Sequence, residues 1–273
     1  MIIINGETEY RIKISDRGLQ YGDGIFETIA YRNNEAEFID AHLERLSFAC
    51  KRLKLPFNNG ELLQELNNVL TELSGKDAVI KIIITRGEGG RGYLADPTIE
   101  PTRIISTHSL PNYPDSYYDK GISIRYCDHR LSENRTLSGL KHLNRLDQVM
   151  ARNEWSDPNI AEGLMLDQND YLIEGTMSNL FIVKSAQLIT PRLTTSGVFG
   201  IMRAELIKLA KHLNITCKEA QITKQDLETA DEVFVCNSVN GIWPVNNNTD
   251  TGTQYARGAI TRHLQHALSG MTQ

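Results

Sequence analysis

Short β-prone runs alternate with amphipathic helical runs along the chain, and this alternation limits the possible folds more than any other feature. Gly- and Pro-containing turns separate the runs, as is usual between the strands and helices of a globular domain. The predicted strands lie at 2–5, 25–31, 36–39, 79–85, 102–107, 122–127, 179–183, 187–190 and 232–236. The predicted helices lie at about 40–53, 62–73, 144–155, 201–213 and 255–268. Such a mixture predicts an α/β (α+β) protein.

The first long helix is predicted from its apolar stripe. The stripe consists of residues three or four positions apart: Leu43, Leu46, Cys50 and Leu53. Asp40 is expected to cap the start of the helix, and Pro56 closes it. Arg45 lies off the stripe, so the pattern alone predicts a surface residue.

The segment from Leu110 to Lys120 is the predicted junction between two domains. It reads LPNYPDSYYDK and has two prolines and little periodicity, which is typical of interdomain linkers. A chain of 273 residues is also long enough for two domains. We predict a smaller N-terminal α/β domain at 1–112, a linker at 113–120 and a larger C-terminal domain at 121–273.

Composition and charge argue against several classes of protein. The net charge of −5 leaves no basic block that could neutralise a run of phosphates, so no nucleic-acid partner is expected. The apolar run at Ile2–Ile4 is too short for a signal peptide or a membrane span. The 4 cysteines show no Cys-x-x-Cys pairing, which is typical of thiols in a reducing compartment. We expect a cytoplasmic protein without a membrane partner. No metal site is predicted, because His263 and His266 have no third ligand.

Residues Gly87–Gly92 spell the dinucleotide-binding pattern G-x-G-x-x-G after a predicted strand. That interpretation requires a helix to begin within the motif, so that its amides face a pyrophosphate. Pro97 follows closely, and no helix can run through it. A nicotinamide-dependent oxidoreductase is therefore the weaker interpretation, and the loop is better suited to bring Arg91 to an anionic substrate.

Lys141 lies between apolar residues just before a predicted helix, in the run Ser138–Leu146. A solvated surface lysine is the simplest interpretation. The functional alternative is an amine in a partly desolvated pocket, where its pKa falls and Schiff-base chemistry becomes possible. The adjacent His142 is equally open to a structural or a functional interpretation.

Glu174 lies among apolar residues of a predicted strand. Burying a carboxylate in such surroundings is costly unless it is paired with a cation. A protonated pyridine nitrogen could supply the charge, and so could an arginine elsewhere in the chain. The residues by themselves favour the arginine.

A Gly-rich turn, Gly197–Gly200, opens the predicted helix at Ile201. Free amides at a helix start suit an anion such as a phosphate, although most helix starts bind only water or a cap. The Asn237–Asn240 segment follows a predicted strand and could offer the Ser238 hydroxyl and further amides, or form an ordinary turn.

Taken together, these segments resemble the fold-type IV pyridoxal-phosphate enzymes, which include branched-chain aminotransferases, D-amino-acid aminotransferases and aminodeoxychorismate lyases. The matching blocks span nearly the whole chain in the family's order: Asp16–Thr28, His42–Leu46, the segments around Lys141 and Glu174, and Gly200–Arg203. The resemblance implies a two-domain D-amino-acid-aminotransferase-like fold and a pyridoxal 5'-phosphate cofactor. It also implies a homodimer with its active site near the subunit interface.

The resemblance further implies roles for the matched residues. The lysine that matches Lys141 carries the cofactor as a Schiff base. The glutamate that matches Glu174 pairs with the pyridine nitrogen, so that the cofactor can act as an electron sink. The groups expected to hold the phosphate are the Arg45 side chain, the amides of Ile201 and Met202, and the loop containing Ser238. Many aminotransferases of the family have a threonine where Met202 stands, so only its backbone donor is expected to contribute.

Two runs look like the lyase members of the family: Thr85–Tyr93 and Gly139–Gln148. The expected activity is therefore elimination of pyruvate from 4-amino-4-deoxychorismate, which gives 4-aminobenzoate for folate biosynthesis. A D-amino-acid or branched-chain aminotransferase is the alternative, and a non-catalytic binding protein with the same fold is a third interpretation. As a hypothesis, Lys141 removes the C4 proton and later protonates the leaving group. The catalytic candidates are Lys141 and Thr28, and the substrate-binding candidates are Arg91 and Tyr93.

Overall fold

The computed structural model describes residues 1–270 and divides the chain into two compact units. Unit 1 comprises Met1–Pro111 and Leu140–Asn144. Unit 2 comprises Asn112–Gly139 and the residues from Arg145 onward. Both units combine a β-sheet with helices, as the alternating pattern predicts.

Unit 1 is built on a six-stranded sheet flanked by two long helices. Its elements are β1 (Ile2–Ile4), β2 (Glu7–Thr8), α1 (Arg17–Tyr21), β3 (Gly24–Arg32), β4 (Glu35–Ala36), α2 (Ile39–Leu53), α3 (Asn59–Leu73), β5 (Ala78–Thr85) and β6 (Thr102–His108). The strand order is β2-β1-β6-β5-β3-β4. The apolar stripes of α2 and α3 contact the sheet, and Leu46, Leu62 and Val69 are fully buried there.

Alternation along β3 separates two environments. Ile25, Glu27 and Ile29 are buried, whereas Phe26 and Thr28 are half-buried. Since successive side chains of a strand point to opposite faces, one face of β3 carries the core and the Glu27 carboxylate. The other face carries Phe26 and Thr28.

Unit 2 contains an eight-stranded sheet with five helices. Its elements are α4 (Ser116–Asp119), β7 (Ile122–Arg130), α5 (Leu146–Arg152), β8 (Ile160–Leu166), β9 (Leu172–Gly175), β10 (Asn179–Lys184), β11 (Gln187–Pro191), α6 (Ile201–His212), β12 (Cys217–Ala220), α7 (Lys224–Glu228), β13 (Glu232–Asn237), β14 (Gly241–Asn248) and α8 (Ala259–Ser269). The strand order is β12-β11-β10-β13-β14-β7-β8-β9. A further pairing of β9 with β10, at Glu174 and Asn179, closes six of these strands into a ring.

Several helix boundaries differ from the prediction: α3 begins earlier, at Asn59, α8 begins later, at Ala259, and α2 and α5 also differ. Helix α2 begins at Ile39 after Phe38, whose φ of 55° turns the chain, so Asp40 lies in the first turn and is not the cap. Its charge still suits that position, because the helix dipole favours anions near the N-terminus. The helix predicted at about 144–155 is shorter and spans only Leu146–Arg152.

The predicted linker at 113–120 is part of unit 2. The rings of Tyr113 and Tyr117 pack edge-on against Trp243, with centroid distances of 4.7 and 5.2 Å. Residues Ser116–Asp119 form the short helix α4. Aromatic packing therefore holds within unit 2 a segment whose prolines and weak periodicity predict an interdomain linker.

The segment that carries Lys141 belongs to unit 1, whereas the predicted division places it in the C-terminal domain. The Phe26 amide donates to the Lys141 carbonyl at 2.9 Å, and the Leu143 amide donates to the Gly24 carbonyl at 3.0 Å. These backbone hydrogen bonds attach the segment to β3. The predicted boundary missed this assignment because the pairing joins residues that are far apart in the sequence.

No helix within residues 1–270 is long and apolar enough to cross a membrane. The four cysteines are free thiols, and Cys50, Cys127 and Cys236 are buried. Burial raises the pKa of the Cys50 and Cys127 thiols to about 12, so both are held as neutral, unreactive groups.

Candidate active site

The Lys141 amine lies over an aromatic ring of unit 1. Its Nζ is 4.3 Å from the centroid of the Phe26 ring, and the residue is half-buried. The face of an aromatic ring attracts an ammonium group and restricts where the flexible lysine chain can lie. The structure therefore shows a half-buried lysine whose amine lies beside an aromatic ring, and the role of Lys141 in carrying the cofactor stays a prediction.

A second lysine, which no sequence motif pointed to, approaches the same ring. Lys81 Nζ is 5.5 Å from the Phe26 centroid, and Lys81 pairs with Thr28 across β3 and β5. Two ammonium groups near one ring repel each other, and an anion between them would relieve the repulsion. The sequence feature that could have pointed to Lys81 is a single lysine inside the apolar run AVIKIIIT of β5.

Glu27 forms a buried network with Arg45 and His42 on the opposite face of β3. Arg45 Nε donates to Glu27 Oε1 at 2.7 Å, and Arg45 Nη2 donates to Oε2 at 2.5 Å. His42 Nδ1 lies 2.6 Å from Glu27 Oε2. Burial alone would raise the pKa of Glu27, but the hydrogen bonds and charges of His42 and Arg45 outweigh burial and lower it from its usual 4.5.

Arg45 is not the surface residue that the helical pattern predicts, because its side chain is only 11% exposed. The pairing with Glu27 uses one edge of the planar guanidinium, which carries five N–H donors in all. Glu27 thereby fixes the plane of the guanidinium. A fixed guanidinium of this kind is well suited to bind a phosphate.

We expect Glu27→Gln to lower the free energy of unfolding at pH 7 by about 3 to 5 kcal/mol, because Arg45 and His42 lose their anionic partner. The pKa of Glu27 is lowered in the fold, so its contribution is present above pH 4.5 and is lost as the pH falls through the folded-state value. Denaturant unfolding of the parent protein and of Glu27→Gln, measured from pH 7 to pH 3, should show that the difference between their free energies of unfolding becomes smaller. The control is Glu35→Gln, at an exposed position of β4. A difference that does not change with pH would contradict the ionised network.

Glu174 lies at the end of β9 in unit 2 and is only 4% exposed. Its Oε1 accepts a hydrogen bond from Gln148 Nε2 at 3.2 Å, and its Oε2 accepts one from the Val198 amide at 2.8 Å. Burial lowers the pKa of the Arg145 guanidinium, while the negative charges of Glu174 and Asp147 act to raise it. Arg145 is therefore an arginine of the kind that the sequence favoured as a source of positive charge for Glu174.

The Gly-rich turn before α6 is held against Glu174. Gly197 has a φ of 85°, in the left-handed region that favours glycine. A Cβ on Gly200 would lie 1.8 Å from Asn179 Oδ1, so any other residue there would displace the Asn179 side chain. Asn179 Nδ2 donates to the Val198 carbonyl at 3.0 Å. The carboxylate of Glu174 and the start of α6 are thus parts of one fixed structure.

Helix α6 begins at Ile201, and no side chain caps its first turn. The amides of Ile201 and Met202 are among the first N–H groups of the helix, which lack partners inside it and suit an anion. Both side chains are buried, so their backbones are the groups that can serve. Ser238 is half-buried in the turn after β13, and the Asn237 Oδ1 atom shapes this turn by accepting from the Asn240 amide at 2.7 Å.

A second buried carboxylate, Glu162, holds the loop between β9 and β10. Its Oε1 accepts from the Thr176 amide at 3.0 Å and from Thr176 Oγ1 at 2.6 Å, and its Oε2 accepts from Ser178 Oγ at 2.6 Å. Burial raises the pKa of Glu162, and these hydrogen bonds act against that rise. The loop follows directly from Glu174, so Glu162 stabilises the backbone beside it. The sequence feature that could have pointed to Glu162 is an acidic residue inside the apolar run of β8.

Arg91 and Tyr93 lie exposed on the Gly87–Tyr93 loop, and Tyr93 is 88% exposed. The buried Arg17 anchors this loop, because its Nη1 and Nη2 donate to the Gly92 and Tyr93 carbonyls, each at 2.8 Å. No helix begins in the loop, so it presents no helix N-terminus to a pyrophosphate. Of the predicted substrate and catalytic residues, Thr28 shares a face of β3 with Phe26, whereas Arg91 and Tyr93 reach into solvent.

Comparisons with known proteins place this arrangement in a family. The model of the family described as amino-transferase class IV matches residues 24–247. An aminodeoxychorismate lyase of Vibrio harveyi is 35% identical over 271 residues, which cover 98% of this chain and 100% of the relative. The crystal structure of a 4-amino-4-deoxychorismate lyase of Pseudomonas aeruginosa is 42% identical, with a TM-score of 0.94 and coverage of 98% of both chains. A branched-chain amino acid aminotransferase structure of Escherichia coli is 28% identical, with a TM-score of 0.87 and coverage of 98% and 92%.

The fold and the matched sequence define a class IV aminotransferase-like enzyme. This chain belongs to the amino-transferase class IV family. The predicted family resemblance and the predicted mixed α/β fold are confirmed. The individual roles of the site residues remain predictions.

Proposed function

We propose that this protein is a pyridoxal-phosphate-dependent lyase that converts 4-amino-4-deoxychorismate into 4-aminobenzoate and pyruvate. The observation that carries the proposal is full-length similarity to a lyase of that name, at 42% identity and a TM-score of 0.94. The branched-chain aminotransferase structure is similar over the same length but at 28% identity. The Lys141 segment, with its His-Leu-Asn-Arg run, supports the same choice.

The donors of this chain fit pyridoxal 5'-phosphate. The half-buried amine of Lys141 can attach to an aldehyde. The guanidinium of Arg45 and the uncapped amides of Ile201 and Met202 are suited to the phosphate. The buried Glu174 carboxylate is suited to a cationic ring nitrogen. When bound, the cofactor supplies an electron sink for negative charge that develops on the substrate.

Lys141 is the group that moves protons in the proposed reaction. Its amine takes the proton from C4 of the substrate, and the electron pair of that bond becomes the new C3–C4 double bond as the C3–O bond breaks. The ring is then aromatic, and the departing enolpyruvyl group becomes pyruvate after it accepts a proton from Lys141. No oxidant or reductant is needed, because the two products together have the composition of the substrate. The Phe26 ring restricts the amine to one region during these transfers.

Lys81 and Arg91 are proposed to bind the substrate carboxylates, with Thr28 and Tyr93 as neighbouring pocket residues. The support for Lys81 is its place beside the Phe26 ring that also contacts Lys141. The support for Arg91 is an exposed side chain on an anchored loop. Arginine and lysine are the usual partners of carboxylates, and the two products each retain one carboxylate.

Lys81→Met is expected to raise KM for 4-amino-4-deoxychorismate by about tenfold to a hundredfold, because a hydrogen bond to a charged group is lost. Steady-state measurement of 4-aminobenzoate release checks this. The matched control is Lys76→Met, at an exposed position before β5. An unchanged KM in Lys81→Met would remove Lys81 from the substrate site.

The proposed activity is tested by mixing purified protein, pyridoxal 5'-phosphate and 4-amino-4-deoxychorismate. The expected result is release of 4-aminobenzoate and pyruvate in equal amounts. A parallel mixture of a D- or branched-chain amino acid with a 2-oxo acid tests the aminotransferase alternative. Steady amino transfer without 4-aminobenzoate would overturn the lyase proposal.

We also propose that the protein is a cytoplasmic homodimer. Several large apolar side chains of unit 1 are exposed, among them Ile14 at 78% and Leu94 at 96%. We take these exposed side chains as candidates for the subunit interface. Light scattering of the purified protein is expected to give twice the chain mass of 30.8 kDa, and the mass of a single chain would contradict the dimer.

A further inference from the structure

We propose that Gln148 is a positioning residue that fixes the Glu174 carboxylate through its amide and controls how strongly that carboxylate holds a proton. The inference rests on the proposed function, since it assigns to Gln148 an effect on the cofactor ring. It concerns a neutral side chain that would act only through Glu174.

Both oxygens of the Glu174 carboxylate have a neutral donor. Gln148 Nε2 is 3.2 Å from Oε1, and the Val198 amide is 2.8 Å from Oε2. Val198 belongs to the fixed turn before α6, so its amide cannot be moved independently of that turn. Two donors on different oxygens prevent rotation of the carboxylate, and both stabilise its ionised form. Gln148 is the member of this pair that a side-chain substitution can remove.

The position of Gln148 is itself fixed by its neighbour in α5. Asp147 accepts hydrogen bonds from His129 Nε2 at 2.9 Å and from the Ser132 amide at 3.0 Å. These contacts tie the first turn of α5 to the end of β7 and to the residues just after it. The Gln148 side chain therefore starts from a backbone that does not depend on Glu174.

Arg145 supplies positive charge to the same carboxylate but is shared with a second one. Burial lowers the pKa of Arg145, and the charges of both Glu174 and Asp147 act to raise it. The attraction is mutual, so Arg145 also favours the ionised form of Glu174. Substituting Gln148 leaves this charge in place and removes the hydrogen bond that Gln148 donates to Oε1.

The expected consequence concerns the chemical step. An ionised, weakly basic carboxylate beside the cofactor leaves the proton on the ring nitrogen, where it strengthens the electron sink. When the Gln148 donor is lost, the proton affinity of Glu174 rises and the ring nitrogen loses part of its proton. Substrate binding does not use this nitrogen, so the effect should appear in kcat and not in KM.

The test compares Gln148→Met and Gln148→Glu with the same substitutions at Gln225, an exposed position on α7. Gln148→Met keeps the length of the side chain, and kcat for 4-aminobenzoate release should fall about tenfold to a hundredfold with KM within about twofold. Gln148→Glu keeps the shape but places a second carboxylate beside Glu174, so kcat should fall further. The ring-nitrogen resonance of ¹⁵N-labelled cofactor should move toward its unprotonated position in both variants. The Gln225 variants should match the parent protein.

Two outcomes would overturn the inference. One is a kcat within twofold of the parent in both Gln148 variants with an unmoved nitrogen resonance. The other is a loss confined to KM, which would mean that Gln148 contacts the substrate. Thermal unfolding checks that the variants are folded, and Gln148→Met alone decides the matter if Gln148→Glu does not fold. The resonance is measured on the resting protein, so a parent protein that binds cofactor but releases no 4-aminobenzoate overturns the proposed function and leaves this test intact.

Discussion

Replacement of Lys141 by alanine is expected to abolish the covalent attachment of the cofactor and to reduce 4-aminobenzoate release by about 10⁴-fold or more, because one amine serves both as the attachment point and as the proton carrier. The Lys141 side chain lies 4.3 Å from the centre of the Phe26 ring, and alanine leaves nothing there to replace it. The measurements are the visible absorbance of the bound cofactor and the rate of 4-aminobenzoate formation. Both should be lost together.

The second lysine near Phe26, Lys81, provides a control for this prediction. Lys81 Nζ is 5.5 Å from the same ring centre, so it is the obvious alternative attachment point. Lys81→Ala should keep the cofactor band that Lys141→Ala loses. If Lys141→Ala kept the band and Lys81→Ala lost it, the roles of the two lysines would have to be exchanged.

Glu174→Gln is the second substitution with a large expected effect, a decrease in kcat of about 10² to 10⁴-fold. Glutamine has nearly the same shape, but it removes the negative charge from a site that is 4% exposed and close to Arg145. A neutral amide cannot keep a ring nitrogen protonated. The loss should lie in kcat, and thermal unfolding measured in parallel separates it from the loss of stability that follows when Arg145 loses an anionic partner.

The control for Glu174→Gln is Glu35→Gln, which removes one negative charge at an exposed position of unit 1. The cofactor dissociation constant should be measured in parallel by absorbance titration. A Glu174→Gln enzyme with kcat within tenfold of the parent would show that the carboxylate is not required for the electron sink.

Local patterns predicted the elements that they could encode. The apolar stripe that includes Leu43 and Leu46 predicts α2 to within one residue of its start, because a helix buries residues three or four apart. The short apolar, β-branched run that ends at Thr85 predicts the strand β5. Glycines at 197 and 200 marked a turn, and both positions favour glycine: Gly197 has a positive φ, and a Cβ on Gly200 would meet the Asn179 side chain.

Contacts between distant parts of the chain could not be predicted from local patterns. The helical wheel placed Arg45 on the surface, because the carboxylate that draws it inward belongs to β3. Lys81 lies in no motif, and its place opposite Thr28 comes from the register of β5 against β3. The hydrogen bond from Gln148 to Glu174 likewise could not be predicted, because it depends on how α5 packs beside β9. The residues around Lys141 and Glu174 did not by themselves decide between a structural role and a role in binding the cofactor. The resemblance to the family favoured the cofactor role for both.

The proposed function depends on a covalent bond between Lys141 and the cofactor, and peptide mapping tests that bond directly. The protein loaded with pyridoxal 5'-phosphate is reduced with borohydride, digested and analysed by mass spectrometry. We expect the reduced cofactor on the peptide that contains Lys141 and on no other. Reduced cofactor on the Lys81 peptide, or on none, would contradict it.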